Sequence, residues 1–344
     1  MRTLEHTLEL CEYRQRDHHA EKKRTMWRSY IFFATTAVLI SLSSVFHAGE
    51  PGIWDAARDP RRALDLAALR AAEKAFFDQD SRETPGSRNR ALAAIDVLMS
   101  IDAASSPEPR VRFFYGRMLT RIGEDERAVQ TLQRAIDFAP NHPGVDDALF
   151  SLAVSFARLG QGNNEELAYK NWLERQWSAA DRSIGLSNLA EGFMAAARME
   201  EAVATFRESI ANNYDNALAH WGLAVALDRS GDPHGALLEA SAALVNDPLA
   251  SELDNPNVFF VPDFDQHWYR ALACMAQATA LGTDHNESRS WPFWQCALKQ
   301  WHKYIDAAPA DNRWMPIALL RLEHCEQRAQ KASGERRLVP TRRR

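Results

Sequence analysis

Large and small apolar residues recur along this chain with a long period. Small residues at Gly116, Ala153, Ala190 and Ala224 are 37, 37 and 34 residues apart, and each is followed 12 to 15 residues later by an alanine. Alanine and leucine dominate, and the runs of alternating β-branched residues typical of strands are absent from the sequence. A repeat of this length predicts an all-α array of helix-turn-helix units.

The repeating unit is clearest in three stretches, 109–142, 183–216 and 217–250. The first stretch places a large–small pair before a turn and alanines after it, at Tyr115, Gly116, Leu119, Gly123, Ala128, Leu132, Ala135 and Pro140. These positions resemble the tetratricopeptide repeat. Because two helices cross closely only where each offers a small side chain, the resemblance implies that Gly116 faces Ala128 and that Ala224 faces Ala236.

Two further units fit the repeat with insertions, one from Leu149 to Trp172 and one from Tyr269 to Pro309. The chain departs from the family pattern, because no unit has tryptophan at its first large position and Arg175 and Tyr304 stand where small residues are expected. The predicted fold is an α-solenoid of about five repeats with a capping helix, preceded by one transmembrane helix. The predicted segments are an N-terminal cytoplasmic segment 1–26, a membrane span 27–48, a linker and degenerate helical pair 49–104, repeats 105–312, a capping helix 313–330 and a basic disordered tail 331–344.

Charge is unevenly distributed along the 344 residues, whose net charge is −5. Residues 331–344 carry +5 and residues 1–28 carry +2, which leaves −12 for residues 29–330. Because phosphate binding needs a basic surface, this acidic body argues against nucleic acid as the partner. The basic tail is either a contact for anionic lipid or an acidic partner, or a solubilising segment.

A membrane span is predicted near the N-terminus. The 21 residues between Arg28 and Glu50 include no Asp, Glu, Lys or Arg, and at about 1.5 Å per residue they span roughly 30 Å. Six basic residues in 14–28, against three in 48–62, place residues 1–26 in the cytoplasm and the repeats in the periplasm of a bacterial inner membrane. The alternatives are a cleaved signal peptide, which leaves a periplasmic protein, and a buried hydrophobic helix.

The sequence contains no catalytic signature: Gly-x-Ser-x-Gly, His-Glu-x-x-His and phosphate-binding glycine loops do not occur. It therefore predicts a protein that is not an enzyme and that holds no cofactor or metal. Asp263 and Asp265 precede a predicted helix, and their simplest interpretation is N-capping. Cys274, Cys296 and Cys325 lie in the last repeat and the cap. Either all three are buried thiols, or Cys274 and Cys296 form a disulfide.

The C-terminal third is rich in aromatic residues, with eleven between 259 and 314. Prolines flank Phe259 and Phe260, so this stretch is predicted to be a loop. Its aromatic side chains either fill the core or form a recognition patch.

In tetratricopeptide proteins, residues one turn apart on the first helices line a concave groove. The resemblance therefore predicts partner-binding residues at Arg110, Phe113, Arg117, Arg121, Phe150, Arg158, Ser187, Glu191, Met194, Trp221, Asp228, Arg229 and Arg270, to which the loop adds Phe259 and Phe260. Aromatic residues with arginines suit a peptide segment that carries acidic and apolar side chains. Trp221 is the foremost candidate, with packing against a neighbouring repeat as its alternative. The lysine and asparagine set that some members use to bind chaperone C-termini is missing.

These features predict a non-enzymatic, membrane-anchored scaffold or assembly factor of the bacterial cell envelope, whose partners are other envelope proteins. The alternative is an accessory subunit that binds a small apolar or glycan ligand through its aromatic C-terminal region, beside an enzyme partner.

Overall fold

In a computed structural model, the chain is described at residues 59–77, 87–255, 258–282 and 287–338, and the residues from Asp65 onward form one compact unit. Every regular element in these ranges is helical, and they include no strand. The helices are α1 (Pro60–Phe77), α2 (Ser87–Met99), α3 (Pro109–Ile122), α4 (Asp125–Phe138), α5 (Gly144–Arg158), α6 (Gly162–Leu173), α7 (Ala179–Ala195), α8 (Met199–Asn212), α9 (Ala217–Arg229), α10 (Pro233–Asn246), α11 (Gln266–Gly282), α12 (Glu287–Ala307) and α13 (Met315–Leu338).

Consecutive helices pack as pairs, α3 with α4, α5 with α6, α7 with α8, α9 with α10 and α11 with α12, and each pair also packs on the next. This arrangement is the tetratricopeptide-like helical array that the sequence predicts. The last helix, α13, packs on α12 and extends past residue 330, where the capping helix was predicted to end. Residues 287–291 of the predicted insertion form the start of α12, which has 21 residues.

The turns inside the first four pairs repeat one backbone feature. Each has a residue with positive φ, at Gly123, Gly160, Ala197 and Gly231, with φ of 82°, 67°, 59° and 88°. Each lies seven residues after the small residue of its repeat, so the turn keeps the same period. A Cβ added at any of the three glycines would meet no atom within 4 Å, so glycine is favoured there by the left-handed backbone conformation and not by a lack of space.

The crossing in the first repeat differs by one turn from the predicted one. A Cβ on Gly116 would lie 2.6 Å from Leu132 Cγ, so Gly116 lies against Leu132 on α4 and the predicted partner Ala128 is wrong. Ala128 is buried with Leu119 and Met118 in the first of two hydrophobic clusters, while Leu132 belongs to the second.

The aromatic residues of the C-terminal third mostly fill the core. Trp268, Trp294, Trp301 and Tyr304 are fully buried, and the Trp268 ring lies 5.0 Å from those of both Trp301 and Tyr304. Edge-to-face contacts of this kind stabilise a core beyond the area they bury. Of the eleven aromatic side chains, Phe259 is the one that is exposed, so the described residues offer no broad aromatic recognition patch here.

The three cysteines of this region have two states. Cys274 on α11 and Cys296 on α12 form a disulfide, with Cα atoms 5.8 Å apart. Cys325 on α13 is a buried free thiol, and burial raises its pKa to about 12.

No helix within the described ranges is long and apolar enough to cross a membrane. The predicted span 27–48 and the segment 1–26 lie outside those ranges, as do residues 339–344 of the predicted tail.

Candidate functional site

A groove of about 1580 Å³ opens between α5 and α7. The first helices of neighbouring repeats pack directly on each other in three cases: α3 on α5, α7 on α9 and α9 on α11. The first helices α5 and α7 make much less contact with each other. Large rings occupy the space between them: the Phe150 ring lies 5.9 Å from Tyr169 and 5.2 Å from Trp172. Trp172 in turn lies where a Cβ on Gly185 would be, so it packs directly against the backbone of α7. We call this opening the groove.

One wall of the groove carries Arg117, Arg121 and Arg158, which we call the arginine cluster. Arg117 forms an ion pair with Asp147 at 2.7 Å, and Arg158 donates to the Thr120 carbonyl at 2.7 Å. Burial, and then the charges of the neighbouring arginines, lower the pKa of Arg121. The three guanidinium groups therefore lie close enough to repel one another, and the carboxylates of Asp147 and Asp125 compensate Arg117 and Arg158 in part.

A loop around Phe259 and Phe260 borders the groove. The Arg158 guanidinium lies over the Phe259 ring, 4.5 Å from its centre, and Phe260 contacts Tyr269 edge to face at 5.0 Å. Phe259 keeps 36% of its surface exposed. The loop therefore presents one apolar ring to the groove beside a cation.

Two carboxylic acids, Glu165 on α6 and Glu191 on α7, line the groove, and we call them the acid pair. The Tyr269 hydroxyl donates to Glu191, with its oxygen 2.6 and 2.7 Å from the two carboxylate oxygens. Burial raises the pKa of both glutamates to about 7; the charge of Glu191 adds to the effect on Glu165, and the Tyr269 hydrogen bond opposes it at Glu191. Both acids are therefore only partly ionised near neutral pH.

Glu165 was not predicted as a site residue, because a glutamate near the start of a helix is typical of ordinary helix N-termini. The one sequence feature that fits its role is Gly192. A Cβ there would lie 2.7 Å from Glu165 Oε1, so the glycine leaves room for the carboxyl group.

Several predicted partner-binding residues line the groove: Arg117, Arg121, Phe150, Arg158, Ser187, Glu191, Phe259 and Phe260. Arg110 and Arg270 do not line it; they are half-buried and pair with Glu73 at 3.3 Å and with Asp254 at 2.6 Å.

The predicted groove positions at Phe113, Met194, Trp221, Asp228 and Arg229 are wrong, because all five side chains are buried in the core. Trp221, the foremost candidate, is 0% exposed.

For Asp228 and Arg229 the physical reason lies at the end of α9, where Arg321 of α13 and Trp314 contact these two residues. Asp228 accepts hydrogen bonds from Arg321 Nε at 2.7 Å and from Trp268 Nε1 at 3.0 Å. The Arg229 guanidinium lies 5.4 Å from the centre of the Trp314 ring. Both side chains are therefore held by partners within the chain and do not line the groove.

The predicted N-cap at Asp265 is also wrong. Its carboxylate accepts from Arg229 Nη2 at 2.8 Å, and both side chains are buried. We call Asp228, Arg229, Asp265 and Arg321 the paired-charge core.

No protein-family model matches the chain, and no curated protein matches it. Solved structures are similar to a part of it. One is MamA from MSR-1, at 16% identity over 56% of this chain and 99% of that one, with a TM-score of 0.44. Another is MamA from Desulfovibrio magneticus RS-1, at 13% identity over 54% of this chain and 96% of that one, with a TM-score of 0.45.

A likeness at this level carries no argument about partners. The class of protein follows from the chain's own helices, which form an α-helical repeat array of the tetratricopeptide-like type.

Proposed function

We propose that the chain is a non-enzymatic scaffold that binds an extended segment of a partner protein in the groove. The observation that carries the proposal is a groove of about 1580 Å³ lined by both arginines and aromatic rings. Pockets for small molecules usually measure about 300–1000 Å³, so this volume suits a stretch of polypeptide better.

The lining suggests how such a segment is recognised. Acidic side chains of the segment contact the arginine cluster, and apolar side chains pack on Phe150 and Phe259. Arginine and aromatic residues are the side chains that most often dominate the free energy of protein–protein binding.

The location is a second part of the proposal and rests on the sequence. Residues 27–48 anchor the chain in a bacterial inner membrane, and the repeats face the periplasm. There the scaffold recruits other envelope proteins or assists their assembly.

The test is co-purification from gently solubilised native membranes with wild type, Arg121→Glu and Arg134→Glu. Arg121 lines the groove, whereas Arg134 is exposed on α4 and is the matched charge-reversal control. We expect a small set of envelope proteins with wild type and Arg134→Glu, and their loss with Arg121→Glu. Recovery of the same proteins with all three chains contradicts the groove as the binding surface. Recovery of none contradicts the scaffold.

A further inference from the structure

Building on the proposed function, we infer that the acid pair binds a positively charged side chain of the bound segment, a lysine ammonium or an arginine guanidinium. The segment is then recognised through a basic residue as well as through acidic and apolar ones. Five observations on the groove carry this inference.

Glu165 is a buried carboxylate without a partner. It is 8% exposed, it lines the groove, and its carboxylate has no hydrogen bond or ion pair within the described part of the chain. Every other buried carboxylate there has a partner; these residues are Asp65, Glu108, Asp125, Asp228, Asp247 and Asp265. Since a buried charge is costly unless it is paired, an unpaired one that faces a cavity indicates a group that arrives from outside.

Glu191 is held in place yet keeps room for a second partner. The Tyr269 hydroxyl supplies one proton to its two oxygens, and burial holds the pKa of Tyr269 well above its usual value, so the phenol stays a donor. A carboxylate has about four lone-pair positions, which leaves several free for an ammonium or guanidinium.

The backbone of α7 brings the two acids together. Gly192, the residue after Glu191, lies directly against the Glu165 carboxyl group, so Glu165 can approach α7. Burial raises the pKa of Glu165 and the negative charge of Glu191 raises it further, so the two carboxylates repel each other when both are ionised. A cation bound between them removes this repulsion.

The charged and titratable groups around the acid pair do not supply that cation. Tyr169 on α6 and Tyr269 on α11 remain neutral phenols, because burial raises the pKa of each. Arg229, whose charge acts on Glu191, is already paired with Asp265 at 2.8 Å. Arg158, whose charge acts on Tyr169, is paired with Asp125 at 3.5 Å.

The two charged parts of the groove lie on different helices. The arginine cluster belongs to α3 and α5, and the acid pair to α6 and α7. A segment that carries an acidic and a basic residue at the matching separation is therefore bound in one direction and one register. Electrostatic complementarity of this kind gives specificity more than raw affinity.

The test selects binders from a random displayed peptide library with the full-length protein, as wild type, Glu165→Gln and Glu166→Gln. Glu166 is the control, because it is the adjacent residue on α6 and is already paired with Arg198 and Lys170. We expect wild type and Glu166→Gln to enrich peptides with lysine or arginine at one position, and Glu165→Gln to lose that preference.

A selected peptide then has its basic residue replaced by norleucine. We expect its affinity for wild type to fall by about tenfold or more, and its affinity for Glu165→Gln to change little. Because the bound cation favours the ionised acids, binding releases protons. The affinity of the basic peptide for wild type should therefore rise from about pH 6 to about pH 8, and the norleucine peptide should not show this rise.

The outcomes separate the two proposals. One outcome is that wild type selects peptides with no preference for a basic residue and that Arg121→Glu no longer binds them. This outcome overturns the role of the acid pair and leaves the groove as a peptide site. An unchanged basic preference in Glu165→Gln also overturns that role. If wild type selects no peptide, the proposed function fails, and this inference fails with it.

Discussion

The groove and the paired-charge core both contain buried carboxylates, and the two regions differ in the partners that these carboxylates have. In the paired-charge core, Asp228 meets Arg321 at 2.7 Å and Asp265 meets Arg229 at 2.8 Å. In the groove, Glu165 has no hydrogen bond or ion pair within the described residues, and Glu191 accepts a hydrogen bond from the Tyr269 hydroxyl without a salt bridge there. The first arrangement belongs to the fold, because each charge is compensated by the chain itself. In the second, burial leaves both acids only partly ionised near neutral pH, and this is the arrangement for which we propose a bound cation.

The side-chain packing around the paired-charge core also differs from the packing at the groove. Around the paired-charge core, tryptophan and tyrosine rings interlock, and the Arg229 guanidinium lies 4.6 Å from the centre of the Trp268 ring. At the groove, neighbouring first helices separate and leave a large opening. The role of a buried charge therefore has to be judged from its partners, because burial alone does not distinguish a structural side chain from one in a binding site.

The largest difference between the two regions is expected for Asp228→Asn. The amide keeps the shape but leaves the Arg321 guanidinium without its counter-charge, so we expect a loss of about 3–5 kcal/mol in the free energy of unfolding. Urea denaturation of both proteins measures it. Asp254→Asn is the control, because Asp254 also pairs with an arginine but is 71% exposed, and a loss below about 1 kcal/mol is expected. Equal losses in the two variants would show that partner burial does not matter here.

The second prediction concerns Glu165→Gln in the free protein. Since the pKa of Glu165 is raised from 4.5 to about 7, its stabilising protonated form is complete below about pH 4.5 and is lost as the pH rises through about 7. Glutamine removes that cost, so we expect a gain of about 1–3 kcal/mol in the free energy of unfolding at pH 8 and little change near pH 5. Urea denaturation at the two pH values measures the difference.

Glu166→Gln is the matched control for this prediction. Hydrogen bonds from Arg198 and Lys170 lower the pKa of Glu166, so its contribution is present above about pH 4.5 and is lost as the pH falls through its lowered pKa. The pair is near the surface, and its loss should cost less than about 1 kcal/mol at pH 8. A gain in both variants would mean that the acid pair is not distinct from an ordinary surface carboxylate.

The last prediction, with the smallest change in stability, concerns the turn that follows α7, the helix that carries Glu191. Ala197 has positive φ where the neighbouring turns have glycine, and a side chain in that conformation costs about 1 kcal/mol. Ala197→Gly should therefore stabilise the chain by about 0.5–1 kcal/mol. Thermal unfolding checks the sign, with Gly123→Ala as the reciprocal change, expected to destabilise by a similar amount. Destabilisation by Ala197→Gly would show that its methyl group contributes packing.

Much of the fold was predictable from local pattern. The period of the small residues predicted the helix pairs, because a close crossing needs a small side chain in each repeat. The left-handed turn residues follow at the same period, although Ala197 shows that the conformation can be imposed without glycine. The crossing partner of Gly116 was misplaced by one turn, since sequence spacing does not define the rotation of one helix against the next.

The site was only partly predictable. Family positions placed Arg121, Arg158 and Glu191 correctly on the groove. The same rule failed at Trp221 and Asp228, because it treats every first helix as open to solvent. Here Arg321 of α13 pairs with Asp228 near the end of α9, and no local pattern in α9 predicts a partner 93 residues further along the chain.

The local sequence is enough to define paired helices with a turn every 34 to 37 residues, because helix formation and close crossing depend on neighbours along the chain. Tertiary structure alone decided which face of the array stays open. It brought Glu165 and Glu191 to one groove without a salt bridge among the described residues, and it gave Asp228 a counter-ion, because burial and pairing depend on distances between residues far apart in the sequence.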